Sequence, residues 1–164
     1  MRELSLSDWS SAAKELRSAA FVSAAGVRHD GGTDRFLRKL ESVPSVVVVS
    51  GECDASALAL LATATLGFVT DDVAVSVDAD TVLALGLTSS LPAAVGAVPA
   101  RALLFGGTLD AAPLRDSGLA RRGDPAAARV DSPGAALVVR SLRVAARSTA
   151  EQAREYDAEL RQLS

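Results

Sequence analysis

Glu52, Cys53 and Asp54 stand in a row where a run of four valines ends, and the segment behind them, ASALALLATATLG, carries neither acid nor base. A strand that runs into a helix at such a turn presents the unpaired N–H groups of the first helical turn to a ligand. Asp54 reads as a helix cap, and Cys53 as a small buried residue, in preference to an acid and a nucleophile. Asp78 and Asp80 make a second acidic turn ahead of TVLAL, where a cap is preferred over proton transfer. His29 is the only histidine, which excludes metal sites built on paired histidines and leaves one base for a Ser/His/Asp triad. Beside Asp30 in a glycine-rich loop it reads as a solvated residue. A phosphate loop needs Gly, four residues, then Gly-Lys-Ser/Thr, and the chain has no such run.

These residues need a scaffold, and the composition says which kind. With 164 residues, 49% of them hydrophobic and 23% charged, the chain suits one globular domain, 1–164, with a sizeable core. Aromatics make up 4%, so small-residue packing is expected instead of a large aromatic pocket. A net charge of -3 disfavours nucleic acid and an anionic membrane surface as partners. One cysteine excludes an internal disulfide and paired-cysteine metal sites, which fits a reducing cytoplasm. MRELSLSDWSSAAKEL has no signal-like apolar core, and the run from Ala55 to Val69 is too short and too interrupted to span a membrane.

Along the chain, Ser7 and Asp8 precede WSSAAKELRSAA, a capped amphipathic helix, and AAFVSAAG is a short buried strand. RHDGGTD is a loop in which Thr33 or Asp34 caps the helix DRFLRKLESV, stopped by Pro44. SVVVVSG is too apolar to be exposed on either face of a sheet, and a helix from about Asp54 to Leu66 follows it. FVTDDVAVSV returns as one strand with a turn or bulge at Thr70, Asp71 and Asp72. Short helices broken at Gly86, Pro92, Gly96 and Pro99 come next, then DAAPLRDSGLA, a linker-like ARRGDPAAARVDSPG, and a tail of strong helical period. The alternation of strand and helix points to α/β with largely parallel strands.

The order of an apolar strand ending in Ser-Gly, a small-residue turn, an alanine-leucine helix and VTDDVAV resembles the crotonase superfamily of enoyl-CoA hydratases and isomerases. GLTSSLPAAVG and PARALLFGGTLDAAPLRDSGLA, in that order, are similar to the family's later segments, so the resemblance runs from about residue 35 to the end. Before residue 35 the family's N-terminal hairpin strands are not recognisable. The resemblance implies a ClpP/crotonase spiral of strand-strand-helix turns, with residues 126–164 as helices that mediate oligomers, a trimer or hexamer of this chain or a hetero-oligomer with another crotonase-like chain. It also implies an acyl-CoA thioester as ligand, with no further cofactor and no metal, and a backbone oxyanion hole for the enolate. The implied donors are the N–H groups of Ser56, within Ala55-Ser56-Ala57, and of Val27, after Ala25-Gly26; Ala25, Gly26, Ala55 and Ala57 line the substrate site.

A hydratase also needs two carboxylates in reach of the reacting protons. The family positions fall on Ala59 and near Ala79, and neither methyl group can move a proton. Asp80 is the remaining acid-base candidate. Two readings result. In one the chain binds an acyl-CoA through the oxyanion hole without standard hydratase activity, leaving lyase, isomerase or decarboxylase chemistry open. In the other it is a catalytically silent crotonase-like partner or regulatory subunit of another enzyme. Arg140, Arg143 and Arg147 fall at helical spacing and read as a solvated face in preference to a site for the phosphates of CoA.

Overall fold

Four consecutive valines demand cover on both sides of a sheet, and they receive it. In the computed structural model, which describes residues 1–147 and 150–163, β3 (Ser45–Ser50) lies at the centre of a four-stranded parallel sheet. Its neighbours are β2 (Ala20–Ala25) on one side and β5 (Leu66–Val69) on the other, with β1 (Arg2–Ser5) outside β2. Val47 pairs with Val22 and with Gly67. Successive strand side chains point to opposite faces. Val47 and Val49 therefore join the main core, while Val46 packs with Phe68 and Val130 on the other side.

The main face is covered by three helices. α1 (Trp9–Glu15) and α2 (Thr33–Leu40) pack together through an edge-to-face contact of Trp9 and Phe36, ring centroids 5.5 Å apart. α3 (Ser56–Thr63) packs on β3, β5 and α2. Gly67 lets α3 approach, since a Cβ there would stand 2.8 Å from Leu61 Cδ2.

Beyond the sheet, β4 (Glu52–Cys53) pairs in parallel with β6 (Ala74–Ser76), and β6 pairs antiparallel with β7 (Thr108–Leu109). α4 (Ala79–Ala84), α5 (Leu87–Val95) and α6 (Ala97–Leu104) precede β7, and α7 (Ala111–Asp116) follows it. A single 3-10 turn, Pro125–Ala127, leads to α8 (Ala135–Ala145) and α9 (Ala150–Leu163). The tail from 126 thus contains two helices, except that Ser148, Thr149 and Ser164 lie outside the described residues.

Several sequence expectations change in detail. FVTDDVAVSV is two strands in two sheets: Thr70 to Asp72 form a full turn, with the Thr70 hydroxyl bonded to Asp72. The cap of α2 is Gly32, not Thr33 or Asp34; Thr33 lies inside the helix, and its hydroxyl accepts from Asp30 N–H at 3.0 Å. The first helix ends at Glu15, because Ala20 onward is needed as β2. Pro92 lies within α5 and Pro99 in the first turns of α6, so the breaks fall at the glycines 86 and 96. β1 escaped the sequence reading altogether, although Leu4 and Leu6 are buried while Glu3 and Ser5 are exposed, a period of two.

Candidate functional site

Two chain reversals meet at the C-terminal ends of β2 and β3. Gly26 and Gly51 take positive φ of 61° and 72°, a region that only glycine enters without steric cost. Gly26 N–H donates to Ser50 O at 2.9 Å, which closes one turn onto the other. After Gly51 the chain makes β4 and enters α3, and Asp54 N–H donates to Val27 O at 3.1 Å. The topology therefore brings the two turns that contain Val27 and Ser56 side by side, as the sequence reading requires. Ala25 is exposed, whereas Ala55 and Ala57 are wholly buried at the start of α3.

The carboxylate of Asp54 holds this junction. Oδ2 accepts from His29 N–H at 2.6 Å, and Oδ1 accepts from Ser56 N–H at 2.9 Å and from the Ser56 hydroxyl. Hydrogen bonds to a charged acceptor are worth about 1.5–3 kcal/mol each, so a half-buried carboxylate with three donors is a strong local tie. Ala55 occupies the N-cap position and offers no side-chain acceptor; Asp54, one residue earlier, does the capping. Ser56 N–H, the expected donor, is bonded to this chain's own carboxylate.

Cys53 fills the other side. It is 1% exposed, and its thiol donates to Ser50 O at 3.4 Å. Burial pushes the thiol's pKa up. Cys53 is thus a buried, protonated side chain, and Val27 is buried too. Of the two expected oxyanion donors, Ser56 N–H is bonded to Asp54.

The loop between the turns is pinned along its length. Trp9 Nε1 donates to Arg28 O at 2.7 Å, and Asp30 accepts from Gly32 N–H at 2.7 Å. His29 is half-buried instead of fully solvated, and its backbone N–H is held by Asp54. Among the described residues, no three His, Cys, Asp or Glu side chains converge as a metal site.

The residues at which the resemblance leads one to expect carboxylates are both alanines. Ala59 is buried inside α3, and Ala79 is the first residue of α4. Asp78 caps α4, accepting from Thr81 N–H at 2.9 Å and from the Thr81 hydroxyl at 2.8 Å. The Thr81 N–H first, then its hydroxyl, holds the Asp78 carboxyl below its ordinary pKa, so it stays ionised as a cap. Asp80 is exposed in the first turn of α4, and among the described residues no hydrogen bond ties it to either turn. Of the arginine stripe, Arg147 lies just past the end of α8 and pairs with Glu41 at 2.9 Å, and Arg140 within α8 is exposed. No helix of the described residues is long and apolar enough to cross a membrane.

No protein-family model and no curated protein sequence matches the chain. Solved structures do. An enoyl-CoA hydratase/isomerase from Cupriavidus metallidurans superposes with a TM-score of 0.71 at 20% identity, covering 93% of this chain and 75% of that one. An enoyl-CoA hydratase from Mycobacterium smegmatis gives 0.70 at 16%, covering 98% and 81%, and one from Thermoplasma volcanium gives 0.69 at 16%, covering 94% and 77%. Similarity this extensive in space, at identities this low, is similarity of fold, and it includes residues 1–34, where the sequence resemblance failed. The chain has the crotonase fold of the enoyl-CoA hydratase/isomerase structures.

Proposed function

We propose that this chain is a catalytically silent crotonase-fold subunit, which acts through association with other protein chains and does not hydrate enoyl-CoA. The observation that carries the reading is the occupied donor at the start of α3: the Asp54 carboxylate accepts from Ser56 N–H at 2.9 Å. Stabilisation of an enolate needs donors preorganised toward the place where charge develops, and a donor already paired with a carboxylate repels a second anion. The alanines at 59 and 79 remove the other half of the chemistry, since each general acid or base typically supplies about 10²–10⁴ in rate. The competing reading, an acyl-CoA polarised by Ser56 N–H, requires Asp54 to leave three hydrogen bonds.

Calorimetric titration of the purified protein with CoA, acetyl-CoA and a medium-chain enoyl-CoA, alongside a hydration assay, tests this. The expected outcome is neither saturable binding at micromolar ligand nor turnover. Micromolar affinity for an acyl-CoA above that for CoA, or measurable hydration, overturns it.

A further inference from the structure

The run from Thr81 to Leu109 carries one charged residue, Arg101, in a chain of which 23% is charged. Much of that run nonetheless faces solvent. On α6, Ala100 and Leu103 are buried, whereas Val98, Arg101 and Ala102 are exposed. Phe105 continues the last turn, its N–H donating to Arg101 O at 3.1 Å. Residues 98, 101, 102 and 105 therefore follow the i, i+3, i+4, i+7 spacing that places side chains on one side of a helix. Val98 is 68% exposed and Phe105 89%, and Ala102 between them leaves room for a close neighbour.

That stripe has the make-up of an interface centre. Such centres are depleted in lysine, aspartate and glutamate and enriched in aromatic residues and arginine, here Phe105 and Arg101. Among the described residues no carboxylate pairs with Arg101. We propose that the α6 stripe docks an amphipathic helix of a different protein, whose apolar residues cover Val98, Ala102 and Phe105 and whose carboxylate pairs with Arg101. A helix suits the spacing, because ridges of side chains three and four residues apart interleave with those of another helix.

Charge selects this occupant. A second copy meeting the same stripe across a two-fold axis would bring Arg101 to Arg101, and like charges facing each other at an interface are costly. Covering Arg101 with a wholly apolar helix would leave a desolvated charge unpaired. A lipid surface would cover Val98 and Phe105, but one cation gives an anionic bilayer little to hold. The inference rests on the association reading above and names its partner by chemistry. The two fail separately: acyl-CoA titration tests that reading, and peptide binding tests this face.

The experiment pans a phage-displayed library of helical peptides, about four turns long, on the full chain, with Phe105→Asp as counter-selection and circular dichroism to verify its folding. Surviving peptides are expected to carry apolar residues at i, i+3, i+4 and i+7 with at least one Asp or Glu, and their synthetic forms to bind at micromolar concentration by fluorescence anisotropy. Affinity is expected to fall about tenfold or more in Phe105→Ala and in Arg101→Glu, and Arg101→Glu is expected to regain it against a peptide whose acid is replaced by lysine. The proposal is overturned if no peptide survives counter-selection, if survivors lack an acid, or if Arg101→Glu binds them as tightly as the wild type. Light scattering and flotation with phosphatidylcholine vesicles cover the other occupants. An oligomeric wild type that loses mass in Phe105→Asp assigns the stripe to a second copy, vesicle binding lost in Phe105→Asp assigns it to lipid, and either result overturns the proposal.

Discussion

α3 and α8 both draw most of their residues from alanine, leucine and other aliphatic side chains, α8 adding Arg140 and Arg143, yet they live in opposite environments. In α3 every residue from Ser56 to Leu61 is buried, whereas in α8 none is. The difference comes from what the chain places around them. α3 is enclosed by β3, β5, α2 and α5, while among the described elements α8 packs extensively only on α9. Apolar content alone does not locate a core; the partners supplied by the topology do. A helix such as α8, with Val138 and Leu142 exposed, leaves apolar surface uncovered by its own domain.

The contrast is broken most severely by truncating the two helices. Leu58→Ala empties a fully buried site, and large-to-small changes of that kind cost about 2–5 kcal/mol. Leu142→Ala, in the isolated chain at low concentration, is expected within about 0.5 kcal/mol of wild type. Urea unfolding of both variants measures this. Equal losses would mean that α8 is packed on the body as tightly as α3, and the contrast would collapse.

A second test sharpens the contrast at the helix starts. Asp54→Ala leaves His29 N–H and Ser56 N–H without their acceptor, and each unpaired group that remains enclosed costs about 1–3 kcal/mol. α8 begins at Gly134 with no side-chain cap, so no substitution at its start should produce a comparable loss. Amide hydrogen exchange gives the site-resolved readout: residues 29 and 56 should lose protection in Asp54→Ala, ahead of the β3 amides. Unchanged protection at both would show that the Asp54 carboxylate does not hold the junction.

Much of this architecture is legible in the chain itself. SVVVVS could only be a strand covered on both faces, and the Asp8 and Asp78 caps follow from polar residues placed before apolar runs. β1 was hidden because four residues at the edge of a sheet give too few alternations for a period to stand out. The candidate site was legible as a place but not as a state. Positions 27 and 56 are brought together as their motifs imply, but whether Ser56 N–H is open depends on where one side chain, Asp54, turns after β4. That is decided by distances of a few ångströms between segments some 25 residues apart in the chain, His29 and Asp54 among them, and no periodicity encodes it.

The smallest expected effect separates a junction from an ordinary cap. Asp78, like Asp54, accepts two bonds from one residue of its helix, but it ties no second segment and is exposed. Asp78→Asn keeps the capping geometry and removes the charge, so only the charge-dependent part is lost, about 0.3–1 kcal/mol before the screening that solvent and salt impose at an exposed site. The sign with pH is fixed by the direction of the shift. Because the folded carboxyl is held below its ordinary value, chiefly by Thr81 N–H, its contribution is complete above the unfolded value of about 3.9 and is lost as the pH falls through the lower, folded one. The gap in stability between wild type and Asp78→Asn should therefore be constant from neutrality down to about pH 5 and close on further acidification. Thermal melts across that range, at low and high salt, read it directly. A gap that widens as the pH falls would contradict an ionised cap at α4 and would reopen Asp78 as a group that holds a proton.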